Sequence, residues 1–163
     1  ILMYLAEKSG RFMPKDTRAR YEVLQWLMVQ ISTVGPMTGQ LGYFFMHGPK
    51  DGTGDHAIAR YTTEVTRLYK LVDKRLAENE WMGGKEYTIA DMAFYPWYAR
   101  ESGQRVNFDS YDYPNMKRWI EAVEARPAVQ RTLDIMSKIT SVRNNPKPEN
   151  FDRLWRKNDL AAR

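Results

Sequence analysis

Apolar side chains recur at helical spacing in two long stretches of the chain. In residues 17–34 they are separated by 3, 3, 1 and 3 positions, and in residues 55–79 by 3, 4, 3, 4 and 4. These intervals place each set on one face of an α-helix, so we predict two amphipathic helices that each pack along one side. The first set is Tyr21, Leu24, Leu27, Met28 and Ile31, and the second is Ile58, Tyr61, Val65, Leu68, Val72 and Leu76.

Glycine and proline interrupt the pattern between these two stretches. Gly35-Pro36 predicts a kink or a break, because proline lacks an amide donor and its ring clashes with the preceding turn. A second helical stretch is expected over residues 36–46. The composition of residues 47–54 predicts a loop.

The segment Thr88-Ile89-Ala90-Asp91 has the pattern that opens a helix. The Thr88 hydroxyl can accept a hydrogen bond from the amide of Asp91, and the Asp91 carboxylate can accept one from the amide of Thr88. This arrangement makes Asp91 a structural cap rather than a general acid or base. Residues 92–99 are apolar nearly all round and contain Pro96, which predicts a bent helix at the centre of a bundle.

Two further helices are predicted to begin with proline, at Pro114 and Pro127, because the first helical position needs no amide donor. Their packed faces are expected to hold Met116, Trp119, Ile120 and Val123 in the first and Val129, Leu133 and Met136 in the second. No strand pattern and no internal repeat is evident. The sequence therefore predicts an all-α domain, a bundle of about six helices.

Composition excludes several kinds of chemistry. The 163 residues include two His and no Cys, which excludes disulfides, a Cys nucleophile and a three-His zinc site. No metal site is expected at His47 and His56, because no carboxylate is arranged beside them as a partner ligand. The longest unbroken apolar run is residues 1–6, far below the ~20 residues of a membrane span. We expect a soluble, cytoplasmic protein with no membrane contact.

The net charge of +5 is concentrated at the end of the chain, where residues 138–163 carry seven basic and three acidic side chains. A basic tail can bind nucleic acid. Acidic residues interspersed with the basic ones are more typical of a solvated extension, so no nucleic-acid partner is expected.

The order and spacing of several motifs resemble one known family. Residues 1–14 are similar to the last helix of the thioredoxin-like domain of glutathione S-transferases and the linker that follows it, and the remainder resembles their helical C-terminal domain. The shared motifs include Leu24-Gln25-Trp26-Leu27, Gly35-Pro36-Met37-Thr38-Gly39-Gln40, Ala57-Ile58-Ala59-Arg60-Tyr61, Gly83-Gly84, Tyr87 to Asp91, Tyr113-Pro114 and Arg126-Pro127-Ala128-Val129. The second and third of these are most similar to the bacterial nu class and the fungal Ure2-like branch.

The resemblance implies three parts: residues 1–14 end an otherwise missing thioredoxin-like domain, residues 15–141 form the helical domain, and residues 142–163 form a basic tail. It also implies a homodimeric enzyme that uses glutathione as a co-substrate, for conjugation to a small electrophile or for reduction of a disulfide. In this family the thioredoxin-like half activates the thiol, so no catalytic residue is assigned and this chain alone is expected to be inactive. The alternative is a non-catalytic helical module that binds other proteins.

Arg60 is the candidate for contact with glutathione. A guanidinium group matches a carboxylate with two parallel hydrogen bonds, and the resemblance implies such a contact for the arginine at this position. The competing interpretation is an ordinary surface ion pair between Arg60 and Glu64, which are four positions apart on one helix.

The acceptor substrate is expected to contact Met37, Gln40, Tyr43 and Phe44, which are separated by 3, 3 and 1 positions. Apolar side chains beside an amide have the composition of a pocket for small electrophiles. The competing interpretation is ordinary core, which would have to satisfy the polar groups of Gln40 and Tyr43. Tyr98 and Arg105 are weaker candidates for the same pocket.

Overall fold

The computed structural model describes residues 1–51, 54–98 and 113–139, and these ranges are almost entirely helical. The α-helices in chain order are α1 (Leu2–Ser9), α2 (Thr17–Val29), α3 (Gly35–Asp51), α4 (Gly54–Glu78), α5 (Ile89–Tyr98), α6 (Pro114–Glu124) and α7 (Pro127–Lys138). The described ranges contain no β-strand, only an isolated bridge between Trp81 and Gly84. The predicted all-α class is confirmed, and six helices follow α1 in the described ranges.

The chain divides into two compact units, Ile1–Glu124 and Ala125–Arg163. The core of the first unit is built from α2 to α6 and the π-helical turn between α2 and α3. Most residues that the periodicity assigned to α4 and α6 are buried, including Val65, Leu68 and Trp119. Ile58, Tyr61 and Ile120 are only half-buried, and Tyr69 is buried although it was not assigned. In the described part of the second unit, α7 contains no buried residue, and Met136 is 53% exposed rather than packed as predicted.

At Gly35-Pro36, where a kink or a break was predicted, the helix changes type but does not break. A π-helical turn, Gln30–Val34, joins the two helices, and the Gly35 amide donates to the carbonyl of Gln30. Because this wider turn makes room for the proline ring, the chain continues as a helix instead of breaking.

The loop predicted for residues 47–54 is also wrong over most of its length, because α3 extends to Asp51 and α4 begins at Gly54. Gly48 and Gly54 are buried and lie close together, since a Cβ atom added to Gly48 would come 2.6 Å from the Gly54 Cα. These glycines allow close approach of two helices rather than forming a loop.

The buried face of α2 is rotated relative to the predicted one. Val23, Trp26 and Leu27 are buried, whereas Tyr21, Met28 and Ile31 are 67%, 49% and 56% exposed. The helix carries more apolar residues than one packed face can cover. We refer to Tyr21 and Met28, together with Ile31 of the π-helical turn that follows, as the outer face of α2.

The capping box at the start of α5 is confirmed in one of its two bonds. The Thr88 amide donates to Asp91 Oδ2 over 2.9 Å, as predicted. The Thr88 hydroxyl accepts from the amide of Ala90 over 3.3 Å, not from that of Asp91. α5 begins one residue after the cap and packs against α1, α2 and α6, which places it at the centre of the unit.

No helix within the described ranges has both the length and the apolarity needed to cross a membrane.

Candidate functional site

Arg60 is exposed on α4. It does not form the ion pair with Glu64 that the spacing of the two residues allowed. Glu64 accepts two hydrogen bonds from Arg67 instead, over 3.1 Å from Nε and 2.7 Å from Nη2. These bonds hold the pKa of Glu64 below its usual value, with a smaller contribution from the charge of Arg60. Within the described ranges Arg60 has neither a hydrogen bond nor an ion pair, so its guanidinium group is available to an anionic ligand.

An aromatic pair forms where α3 packs against α4, and one of its members, Tyr61, directly follows Arg60 in the sequence. The rings of Phe44 and Tyr61 are stacked, with centroids 5.7 Å apart and an interplanar angle of 14°. Tyr43 places its ring edge-on against Phe44 at 5.3 Å. Since Tyr61 directly follows Arg60, the structure brings two predicted acceptor-site residues next to the helical turn that carries the predicted anion contact.

Sequence reasoning assigned Tyr61 only to the packed face of α4. Its ring is half-buried and forms one side of the aromatic pair Phe44–Tyr61. The signal available in the sequence was its position next to Arg60. An aromatic residue at the edge of a packed face is equally consistent with a core position, so the sequence alone did not separate the two roles.

Met37 and Gln40 lie earlier on α3, where Met37 is half-buried and Gln40 is exposed. Tyr43 and Phe44 are half-buried as well. Partial exposure is what the wall of a cleft would have, whereas core residues such as Leu41 are 1% exposed. The assignment of these four residues to an acceptor site stays a prediction.

Tyr98, the last residue of α5, is placed in the core rather than on an open surface. It is 2% exposed, stacks at 6.1 Å on Phe94 and lies 4.9 Å from the ring of Tyr69. Its hydroxyl has no hydrogen-bond partner in the described part of the chain, and burial raises its pKa well above the ordinary value. Its role in substrate binding stays a prediction, and Arg105 lies outside the described residues.

Asp91 holds the start of α5 rather than serving as an acid or base. It is fully buried, and its Oδ1 accepts from the Met82 amide over 2.8 Å and from Trp119 Nε1 over 2.9 Å. Its Oδ2 accepts from the amide and the hydroxyl of Thr88. Burial raises the pKa of Asp91, and these hydrogen bonds oppose the shift. With its oxygens occupied and no access from solvent, Asp91 has a structural function.

Two apolar surfaces of the first unit are exposed within the part of the chain that the structure describes. In α1 only Ala6 is buried, while Met3, Tyr4 and Leu5 are exposed by 37% to 62%. We refer to these three residues as the outer face of α1. The outer faces of α1 and α2 each group three large exposed apolar side chains, so each is a candidate contact region.

The described residues contain no group of three or more His, Cys, Asp or Glu side chains that could hold a metal ion. A shallow pocket of about 330 Å³ lies where the end of α4 meets α6, lined by Leu76, Asn79, Asn115 and Arg118 among others. None of the predicted site residues lines this pocket. The Arg118 guanidinium group donates to the carbonyls of Leu76, Asn79 and Glu80 and so closes the end of α4.

Comparison with known proteins identifies relatives of the chain. Residues 36–127 match the family model described as the C-terminal domain of glutathione S-transferase. The disulfide-bond oxidoreductase YfcG of Escherichia coli is 44% identical over 133 residues, covering 82% of this chain and 60% of the relative. The disulfide-bond oxidoreductase YghU of the same organism is 38% identical, covering 80% of this chain and 46% of the relative. The chain thus spans about half of the length of these relatives.

Solved structures give the same grouping. A glutathione transferase from Burkholderia graminis, with two glutathione molecules bound per subunit, superimposes with a TM-score of 0.74 at 40% identity, covering 82% of this chain and 57% of that one. Ure2p5 from Phanerochaete chrysosporium, cocrystallised with 1-(S-glutathionyl)-2,4-dinitrobenzene, superimposes with a TM-score of 0.72 at 27% identity, covering 86% of this chain and 69% of that one.

Proposed function

Because this chain belongs to the glutathione S-transferase family, as its helical C-terminal domain, we propose that it forms the acceptor-binding half of an enzyme that uses glutathione. The enzyme would conjugate glutathione to small electrophiles or reduce disulfides with it. The other half would be a thioredoxin-like domain that lowers the pKa of the glutathione thiol. This chain would orient the tripeptide and hold the acceptor, and would have no turnover of its own.

The observation that carries this proposal is the state of Arg60. Glu64 has its two carboxylate oxygens engaged by Arg67, so Arg60 is left as an exposed cation without a partner among the described residues. A guanidinium group binds a carboxylate through two charge-assisted hydrogen bonds, and glutathione carries two carboxylates. The residues present therefore fit glutathione as the anion.

The aromatic pair Phe44–Tyr61 supports the acceptor part of the proposal. Tyr61 directly follows Arg60 on α4, and Phe44 adjoins the half-exposed ring of Tyr43. Half-buried aromatic surface next to a fixed charge suits a planar, apolar acceptor held against a charged co-substrate. Met37 and Gln40 would extend the same wall toward the start of α3.

The glutathione thiolate would be the nucleophile in both reactions. In conjugation, the sulfur forms a bond to an electrophilic carbon of an aromatic halide, and the halide leaves with the bonding electrons. In disulfide reduction, the thiolate attacks one sulfur and releases the other as a thiolate, and a second glutathione then resolves the mixed disulfide to oxidised glutathione. This chain contributes position and exclusion of water to either reaction.

The role of Arg60 can be tested in the intact protein with Arg60→Gln. Loss of a bidentate, charge-assisted contact should raise the KM for glutathione by about tenfold or more, given ~1.5–3 kcal/mol for hydrogen bonds to a charged group. Lys74→Gln is the matched control, because Lys74 is an exposed cation on the same helix and its loss leaves the pair of Arg67 with Glu64 intact. It should leave KM within about twofold. Equal effects of the two variants would refute a specific contact at Arg60.

The outer face of α1 supports the proposed domain arrangement, with residues 1–14 as the end of the thioredoxin-like half, residues 15–141 as the helical domain and residues 142–163 as a basic tail. The outer face of α2 supports a homodimer. Sedimentation of the intact protein tests the homodimer, and Met28→Glu should shift a dimer toward monomer.

A non-catalytic, protein-binding role would be indicated by an intact protein without glutathione turnover. A cytoplasmic location stays a prediction that cell fractionation would test.

A further inference from the structure

Phe12, in the linker between α1 and α2, has an unusual backbone conformation. Its φ angle is 64°, the one positive value among the described residues other than glycine. Side chains with a Cβ atom are disfavoured in this left-handed region, because the Cβ comes too close to the following carbonyl oxygen. Such a conformation persists where the surrounding structure holds it in place.

Phe12 contacts the segment that leads into α5 through its carbonyl and its ring. Its carbonyl accepts a hydrogen bond from the amide of Ile89 over 3.0 Å. Its ring meets the ring of Tyr87 edge-on at 6.0 Å, and Tyr87 in turn meets Trp81 at 5.3 Å. The guanidinium group of Arg11 lies 4.8 Å from the centre of the Phe12 ring. We refer to Phe12 with its contacts to Tyr87 and Ile89 as the linker clamp.

The hydrogen bond to Ile89 completes the cap of α5. The first amides of a helix have no partner inside it, and Ile89 is the first residue of α5. The Thr88 hydroxyl accepts from the next amide, that of Ala90. The Phe12 carbonyl therefore accepts from the Ile89 amide, a donor that the capping box does not reach. Phe12 has its left-handed backbone conformation while its carbonyl is directed at this amide.

On its other side the linker clamp is continuous with α1. Gly10, also left-handed, ends α1 with its amide directed at the carbonyls of Ala6 and Glu7. Ala6 is buried, and Glu7 forms an ion pair with Arg20 of α2 over 2.6 Å. α1 is thus fixed to α2 and α5 along one side, while its outer face points away from these contacts.

We propose that Phe12 is a positioning residue, which sets the orientation of α1 relative to α5 through the linker clamp. This inference rests on the proposed function, in which the thioredoxin-like half docks on the outer face of α1. A fixed α1 would hold the activated thiol at a constant position relative to the acceptor wall beside the Phe44–Tyr61 pair. Misplacement of reacting groups by about 1 Å can reduce a rate by about a hundredfold.

The orientation of α1 can be measured in this chain alone, because the absence of native Cys allows nitroxide labels at introduced cysteines. Labels at Tyr4→Cys and Glu121→Cys report the distance from α1 to α6, and labels at Gln25→Cys and Glu121→Cys report a control distance that omits α1. Phe12→Gly keeps the left-handed backbone accessible but removes the ring. It should broaden the first distance distribution and not the second, and Phe12→Tyr should restore it. Unchanged distributions, or equal broadening of both, would overturn the proposal.

The hydrogen-exchange rate of the Ile89 amide is a second test of the linker clamp, and it needs no spin labels. Loss of the ring contacts should speed its exchange by about threefold to tenfold in Phe12→Gly, while the amide of Lys117 in α6 exchanges at the wild-type rate. Equal acceleration at both amides would indicate general destabilisation and would contradict a local clamp.

In the intact protein, Phe12→Gly should lower kcat for conjugation by about tenfold or more and leave the KM for glutathione within about twofold. Phe12→Tyr should recover kcat. A fall in stability without this split between kcat and KM would mean that Phe12 has only a structural role. An intact wild-type protein without glutathione turnover would refute the proposed function, whereas the distance and exchange measurements would still decide the positioning role.

Discussion

Replacing Asp91 with Ala should be among the most destabilising single changes in the first unit. The carboxylate accepts from the amides of Met82 and Thr88 and from the indole N–H of Trp119, all in the buried core. Each buried donor left without a partner costs ~1–3 kcal/mol. Water that enters the space vacated by the carboxylate would recover part of this, so we expect a loss of about 3–5 kcal/mol, a large fraction of the ~5–15 kcal/mol of a typical domain.

Urea denaturation followed by circular dichroism and by tryptophan fluorescence measures this loss as a change in midpoint at constant slope. Trp119→Phe removes a single donor and should cost less. The double variant should show a coupling of about 1–2 kcal/mol between Asp91 and Trp119. Asp134→Ala is the control, because its ion pair with Lys138 on α7 is exposed, and it should change stability by less than ~0.5 kcal/mol.

Asp91→Asn keeps the experiment informative if the Ala variant does not fold. It preserves the oxygen that faces Met82 and Trp119 but places an NH₂ group toward the Thr88 amide, and should cost about 1–3 kcal/mol. A loss below ~1 kcal/mol for Asp91→Ala, or no coupling to Trp119, would refute the account of this network.

Three further outcomes are expected. Gly83→Ala should destabilise by about 1–3 kcal/mol in thermal unfolding, because its Cβ would lie 2.4 Å from the hydroxyl oxygen that caps α5; wild-type stability would contradict this packing. Asp73→Ala should cost about 2 kcal/mol in the same assay, because the carboxylate accepts from the first amides of α6; no effect would show that the cap is dispensable. Arg67 lowers the pKa of Glu64 from its usual 4.5, so their ion pair stabilises above that value and is lost as pH falls through the lowered pKa. NMR titration should show that Arg67→Gln raises this pKa more than Arg60→Gln does, and the reverse order would assign Glu64 to Arg60.

Periodicity predicted the fold where one apolar face exists and is buried. The faces of α4 and α6, the proline starts and the carboxylate half of the capping box follow from rules that act within a few residues. α2 violated the same reasoning because it has two apolar faces, and tertiary packing decides which one is buried. The outer face of α2 was therefore misassigned to the core.

The break considered at Gly35-Pro36 and the loop predicted for residues 47–54 are absent for a related reason. Their preferences describe an isolated chain, but Pro36 is accommodated by a π-helical turn, and Gly48 allows α3 to approach Gly54 closely. Both effects depend on neighbours that are distant in the sequence or on a rare helix geometry. Likewise, the choice of Glu64 between Arg60 and Arg67 depends on side-chain geometry that spacing does not specify.

The sequence predicted which residues belong to the candidate site, but not how they are arranged in space. Arg60 and Phe44 were named from sequence, and the structure adds Tyr61, which follows Arg60 on α4 and stacks on Phe44. Phe12 could not have been found, because nothing in a linker sequence indicates that a phenylalanine takes a left-handed backbone. Its carbonyl contact with Ile89 joins residues 77 positions apart in the chain.

The central claim is tested most directly by glutathione turnover with and without the proposed thiol-activating half. Conjugation to 1-chloro-2,4-dinitrobenzene and reduction of a small disulfide would be measured for the intact protein and for this chain under the same conditions. We predict turnover by the intact protein in at least one assay, and a rate for this chain that equals the uncatalysed background. Turnover by this chain at a rate comparable to that of the intact protein, or none by the intact protein in either assay, would contradict the account.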